Sequence, residues 1–243
     1  MNTYDGGVGD DRDLAAVAAA IGHPARAAML SELLGGREMA AGDLSRVAQV
    51  SPSTASAHLS RLRVAGLVTE QARGRHRYHR LSSAEVAQAI EALVVLAPAR
   101  RVRSLRAANR LEAERAARSC YDHLAGALGV AVTDRLVDVG ALARDGLALV
   151  DPAPLVALGV YPESARSNRR PLVRSCLDWS ERRPHLAGGL GAALLESFLS
   201  RGWTVRRGGG RALAVTPSGR RGLARALDLD VSTVVPRPAT TEG

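Results

Sequence analysis

The sequence predicts a mainly α-helical chain with small β-hairpins, split into an N-terminal helical unit and a C-terminal α+β unit of two related repeats. Three observations carry this. Apolar residues recur at helical spacing in short, capped segments over residues 11–98, interrupted by a basic hairpin-like stretch. An internal duplication organises residues 118–230. An arginine-rich segment, residues 99–117, joins the two.

Residues 1–10 hold three Gly and little apolar content, which predicts a disordered tail. Residues 11–21 predict a first helix with Leu14, Val17, Ala18 and Ile21 on one face. Pro24 opens a second, with Met29, Leu30, Leu33 and Leu34 inward, and Gly35-Gly36 ends it. Residues 40–48 predict a short third helix with Leu44 and Val47 inward.

The fourth helix is the most informative. Ser51 suits an N-cap and Pro52 the first helical position. Ala55, Leu59 and Leu62 form an apolar stripe, and Gly66 stops the helix. The other face carries Ser53, Thr54, Ser56, Ala57, His58, Ser60 and Arg61, and no acid occurs between residues 51 and 69. Short, neutral or basic side chains suit the major groove, where base edges offer donors, acceptors and methyl groups. A strand, a basic turn from Ala72 to His76 and a returning strand to Leu81 follow. Residues 51–80 hold six Arg against one Glu, a net +5, as phosphate contact beside a base-reading helix requires. A helix followed by a basic hairpin is a helix-turn-helix with a wing. The predicted DNA-contacting residues are Ser51, Ser53, Thr54, Ser56, Ala57, His58, Arg61, Arg73, Arg75, His76 and Arg77, with His79 also near phosphate. His23 reads as a cap or surface residue. Arg26 reads equally as a phosphate contact or a packing residue.

Residues 12–98 resemble the ArsR-type winged helix-turn-helix regulators. The resemblance is carried by Ile21-Gly22-His23-Pro24-Ala25-Arg26, by Ser51 to Leu62, by Ala65-Gly66-Leu67-Val68 and by Gly74-Arg75-His76-Arg77-Tyr78. It covers about a third of the chain. It implies a homodimeric repressor of double-stranded DNA that leaves its operator when an effector binds, with the first and last helices of the domain forming the dimer interface. The last helix is predicted at residues 82–97, capped by Ser82 or Ser83, with Val86, Ile90, Leu93 and Val94 as its stripe. Packing of those faces within one subunit is the alternative.

Residues 98–119 carry seven Arg and two Glu. They read as the solvated face of a connecting helix or as a second phosphate-contacting surface. In the repeat, Arg118-Ser119-Cys120-Tyr121-Asp122 recurs as Arg174-Ser175-Cys176-Leu177-Asp178, and His123-Leu124-Ala125-Gly126 as His185-Leu186-Ala187-Gly188. The second copy has six extra residues, 179–184. Each copy (118–160 and 174–230) predicts a helix, a strand hairpin (142–150 and 203–215) and a closing helix, like a degenerate winged-helix unit. Residues 231–243 predict a disordered tail.

Composition bounds the function. Hydrophobic content is 46%, which argues against disorder. No apolar run reaches the roughly 18 residues of a membrane span and there is no signal-peptide pattern, so no membrane partner and a cytoplasmic protein are expected. The net charge of +9 points to an anionic partner, although all 33 basic residues are Arg, so position says more than the total. No HExxH, paired CxxC or P-loop pattern supports an enzyme.

The metal positions of the resembled family are not reproduced: Glu38 to Val50 contains no Cys, and residues 82–97 contain no His or Asp. The repeat instead offers Cys120, Asp122, His123, Cys176, Asp178 and His185. Two thiols and two imidazoles suit zinc or a similar transition metal, with the Asp residues as ligands or as partners orienting a His. A thiol-redox role, a small ligand nearby, or mere packing and helix capping are the other readings.

Overall fold

The computed structural model describes residues 13–98, 104–145, 147–167, 170–208 and 210–235. The expected tail 1–10, the basic residues 99–103 and the end of the chain from 236 lie outside the described residues.

The N-terminal half contains α1 (Leu14–Ile21), α2 (Pro24–Leu33), β1 (Met39–Ala40), α3 (Ala41–Ala48), α4 (Pro52–Val64), β2 (Val68–Arg73), β3 (His76–Leu81) and α5 (Ala84–Leu96). Side chains cap four of the helices, three of them at residues the sequence suggests. Asp13, His23, Ser51 and Ser83 each accept a backbone N–H of the first turn. The core joins Met29, Leu30, Leu33 and Leu34 of α2 and its end to Leu44, Ala55, Leu59 and Leu62. β3 lies between β1 and β2, all antiparallel, with Arg73 opposite His76. The hairpin therefore turns over two residues, Gly74 and Arg75, and Gly74 (φ +58°) supplies the left-handed backbone such a turn needs. It is tighter than the turn expected from Ala72 to His76. Val47 is only half-buried.

α6 (Leu105–Ala116) is the connecting helix, and Ser104 caps it. The C-terminal half follows as β4 (Arg118–Cys120), β5 (His123–Ala125), α7 (Gly126–Asp138), α8 (Ala153–Ala157), α9 (Pro162–Ala165), β6 (Arg174–Leu177), β7 (Pro184–Ala187), α10 (Gly188–Ser200), β8 (Thr204–Arg206), β9 (Leu213–Val215) and α11 (Pro217–Leu227). Each repeat opens with a short hairpin and then a helix. Strands of three or four residues are too short to show alternation, so these hairpins, β4–β5 and β6–β7, were not legible as strands. The two copies cross over: α7 packs on β7, α10 packs on β5, and β5 meets β7. Leu128, Leu186, Leu190, Leu194 and Phe198 fill the resulting core.

The expected hairpin at 203–215 is β8–β9. Among the described residues, that expected at 142–150 is reduced to one bridge, Leu142 to Leu149. The tail assigned to 231–243 is corrected at its start, because Val231 and Val235 are buried in the C-terminal core. Apolar valines among polar neighbours found a place to pack that composition did not reveal.

The two halves are joined through more than the connecting helix. The Tyr121 N–H donates to Leu34 O (2.5 Å) and the Ser119 hydroxyl to Gly35 O (3.2 Å). Arg110 pairs with Glu32 (2.5 Å) and Arg211 with Glu91 (2.7 Å). Gly36 sits where a Cβ would lie 1.8 Å from Tyr121 O, at φ +71°, so no other residue fits this joint undisturbed.

Candidate functional sites, the nucleic-acid face and the cysteine-histidine cluster

α4 rests its Ala55, Leu59 and Leu62 stripe on the domain core and leaves Ser51, Ser53, Thr54, Ser56, Ala57, Ser60 and Arg61 exposed. Ser51 Oγ accepts the Thr54 N–H (3.2 Å) and meets the hydroxyls of Ser53 (3.0 Å) and Thr54 (2.8 Å). This fixes the N-terminal turn, the part of a recognition helix that reaches base edges. Arg73, Arg75, His76 and Arg77 are exposed on the wing. Two of these cations are already engaged, Arg73 with Glu38 (2.6 Å) and Arg77 with Glu70. Among the described residues, Arg61 and Arg75 have no acidic partner; Arg75 Nε donates only to His76 Nε2 (3.3 Å).

Two expected contacts, those of His58 and His79, are corrected, and Arg26 takes the packing alternative. His58 is 8% exposed and turned away from the groove side. Its ring lies 4.4 Å from that of His23, and its Nδ1 accepts from Arg26 (3.4 Å). Burial, and then its neighbours His23, Arg26 and Arg61, hold its pKa below the ordinary histidine value. The signal was present: positions 55, 58, 59 and 62 follow the i, i+3, i+4, i+7 pattern, so His58 completes the inward stripe. His79 is likewise buried, between β1 and β2 and 3.8 Å from Glu70, and burial lowers its pKa. Arg26 is buried and donates to Ala19 O (2.7 Å) and Ala20 O, so it ties α1 to α2 and does not reach phosphate. In the connecting helix, Arg110 turns to Glu32 and Glu114, away from any phosphate-facing role.

In the C-terminal half the repeat brings four of the six expected residues together. Cys120 is paired across the strands with His123, and Cys176 with His185. The six inserted residues lengthen the second hairpin's loop and leave that pairing intact. Cys120 Sγ lies 3.9 Å from Cys176 Sγ, and His123 Nε2 lies 3.1 Å from His185 Nε2. The four donor atoms all lie within 4.8 Å of one another, and all but Cys176 are fully buried. Asp122 and Asp178 stand behind the ring. Asp122 Oδ1 is 3.4 Å from His123 Nδ1, and Asp178 Oδ2 is 3.5 Å from His185 Nδ1 without forming a hydrogen bond to it.

Asp178 is itself held by the fully buried Arg118 (2.8 Å), the Gly126 N–H (2.7 Å) and Ser180. Arg118 also stacks on Trp179 (4.7 Å). Burial opposes the Asp178 charge, but Arg118, Ser180 and the Gly126 N–H together outweigh it and keep the carboxyl well below the usual carboxylate range. Burial likewise opposes a charged His123, yet Asp122 and Cys176 push its pKa up to about 9. The hydrogen bond from the Cys120 thiol, then those from both imidazoles, draw Cys176 far below the ordinary thiol value. That same bond, together with burial, pushes Cys120 up. The supporting residues Arg118 and Tyr121 were not singled out from sequence. Arg118 begins the duplicated motif, but nothing in one sequence marks it as the buried partner of Asp178.

A small pocket of about 30 Å³ opens beside the cluster, lined from α5 by Glu85 and Gln88 and from the C-terminal half by Cys120, Tyr121, His123 and Arg170.

A winged helix-turn-helix with an exposed, acid-free α4 face defines a DNA-binding protein. A family profile described as a helix-turn-helix domain matches residues 21–71. The chain is 38% identical over 223 residues to YdfF, an uncharacterized HTH-type transcriptional regulator of Bacillus subtilis (strain 168), covering 90% of this chain and 99% of that protein. Among solved structures it is similar to reduced HlyU from Vibrio cholerae (34% identity, 34% of this chain and 85% of that one, TM-score 0.32). It is also similar to the transcriptional repressor BigR from Xylella fastidiosa (28% identity, 36% and 88%, TM-score 0.33). The chain belongs to the HTH-type transcriptional regulators, and residues 13–98 form its winged helix-turn-helix. Among the described residues no single helix is long and apolar enough to cross a membrane.

Proposed function

We propose that this DNA-binding regulator is a homodimeric repressor, working in the cytoplasm and released from its operator by an effector sensed in the C-terminal half. The observation that carries the DNA-contact assignment is the exposed face of Ser51, Ser53, Thr54, Ser56, Ala57 and Arg61 beside the unpaired charge of Arg75. Neutral hydroxyls and a methyl read base edges while the arginines hold phosphate. Self-association is supported by α1, which buries none of its residues: Leu14 is 79% exposed, and on α5 Leu96 is 80% exposed. Apolar side chains this exposed on two helices ask for a cover, and a second copy would set two α4 helices about 34 Å apart on a near-palindromic site.

The effector's place is supported by the pocket between α5 and the β4–β5 hairpin, since its lining comes from both halves. The neighbouring Cys120, His123, Cys176 and His185 offer zinc or a similar transition metal a ligand set.

Gel-shift titration on the DNA upstream of the protein's own gene tests the reading. A discrete shifted complex that resists non-specific competitor, and that Arg61→Ala and Arg75→Ala both weaken, is the expected outcome. Binding indifferent to sequence, or unaffected by both substitutions, overturns it.

A further inference from the structure

Two edges of the cysteine-histidine cluster meet a stricter geometric test than proximity. Zinc takes cysteine sulfur at about 2.3 Å and imidazole nitrogen at about 2.0–2.1 Å, with four ligands in a tetrahedron. The edges of that tetrahedron are then about 3.8 Å between two sulfurs and about 3.3 Å between two nitrogens. The observed separations are 3.9 Å and 3.1 Å. Each repeat contributes one edge-to-edge pair, because Cys and His sit opposite each other on neighbouring strands.

The surroundings fit as well. Both histidines point Nε2 inward and Nδ1 toward a carboxylate, which is how ligating imidazoles are usually oriented. His185 Nδ1 is buried and lacks a hydrogen bond, a cost that a ligated, Nδ1-protonated ring leaning on Asp178 would relieve. Two thiolates and two neutral imidazoles around a divalent cation sum to zero charge, which suits a buried position. Binding sends two protons to solvent, one from the Cys120 thiol and one from the Cys176–His123 pair. Four protein ligands leave no open position, so the site holds an ion and does not present it to a substrate.

We propose that Cys120 Sγ, His123 Nε2, Cys176 Sγ and His185 Nε2 hold one zinc-class divalent ion in a closed site that pins the two repeats together and seats the winged helix. The seat is Tyr121, in the turn between two of the ligands: its N–H is bonded to Leu34 O and its carbonyl faces Gly36. This assignment does not rest on the repressor reading. Loss of operator binding would leave the site standing, and absence of metal would leave the DNA-binding face standing.

The full untagged chain, purified without added metal, is analysed for zinc and then, after chelation, titrated with cobalt(II). About one ion per chain is expected, with the intense visible bands of tetrahedral cobalt and a thiolate charge-transfer band. Cys120→Ser with Cys176→Ser should lower metal content at least tenfold. Asp122→Asn should weaken cobalt binding by about 10–100-fold, an effect that a packing role for Asp122 would not produce. Chelation should lower the thermal midpoint and speed proteolysis between the halves.

A native chain, folded by circular dichroism, that binds no cobalt in this form overturns the site; so does recovery of a metal-free Cys120–Cys176 disulfide as the native form. If the Cys variants fail to fold, the cobalt titration of the native chain decides alone. Metal binding with unchanged proteolysis and midpoint overturns the seating role.

Discussion

The molecule uses a tight antiparallel hairpin twice for opposite ends. In the wing, β2–β3, a two-residue turn carries Arg75 into solvent, and every β2 residue after Val68 is exposed. In β4–β5 a turn of the same length carries Tyr121 and Asp122, and every strand residue is buried. The wing is an arm for an external polyanion. The inner hairpin is a clamp that brings Cys120 and His123 to their counterparts in the second repeat. Backbone form does not separate the two; what separates them is whether a helix covers the hairpin, as α10 covers β5.

The largest expected effect strikes the clamp. Asp178→Ala leaves Arg118, which is fully buried, without its carboxylate, and breaking such a pair costs about 3–5 kcal/mol. Denaturant unfolding followed by Trp fluorescence should show it. A loss below about 1 kcal/mol would mean that the clamp is not held by this pair. Next comes the joint. Gly36→Ala forces a Cβ into Tyr121 O at a positive φ, with an expected cost of about 2–4 kcal/mol and separate melting of the two halves. Unchanged single-step melting would show that the halves do not depend on this contact.

On the wing, Arg75→Ala should leave stability within about 0.5 kcal/mol while reducing the salt dependence of DNA binding by about one phosphate contact. An unchanged salt slope would remove Arg75 from the interface.

The smallest effect is on pH. Burial lowers the pKa of His58, which faces His23, Arg26 and Arg61, and that of His79, which faces Glu70 and Arg77. The native state therefore binds fewer protons than the unfolded chain below about pH 6.5, so stability falls as pH falls through that range. Urea midpoints between pH 7.5 and 5.5 should decline, and less steeply in His58→Gln. Equal slopes would mean that His58 is not held neutral.

The wing was more legible in the sequence than the clamp, for a physical reason. Ser51, Ala55, Leu59, Leu62 and Gly66 act through local rules of capping and periodicity, and each stands where those rules put it. His58 departs from the expected face because its place in the apolar stripe, not its polar chemistry, decides which way it turns. The cluster depends on a crossover between two repeats far apart in the chain. The duplication flagged Cys120 with Cys176 and His123 with His185, but which atoms meet follows from strand register, and three-residue strands carry no register signal.

The cross-half ion pairs shape the electric field presented to DNA. Glu32 and Glu91 belong to the winged-helix half, but their cations, Arg110 and Arg211, come from beyond it. Cut away at residue 98, that half would bare two carboxylates that the intact molecule neutralises. The isolated domain would thus meet a polyanion with a weaker positive potential than it shows in the whole chain.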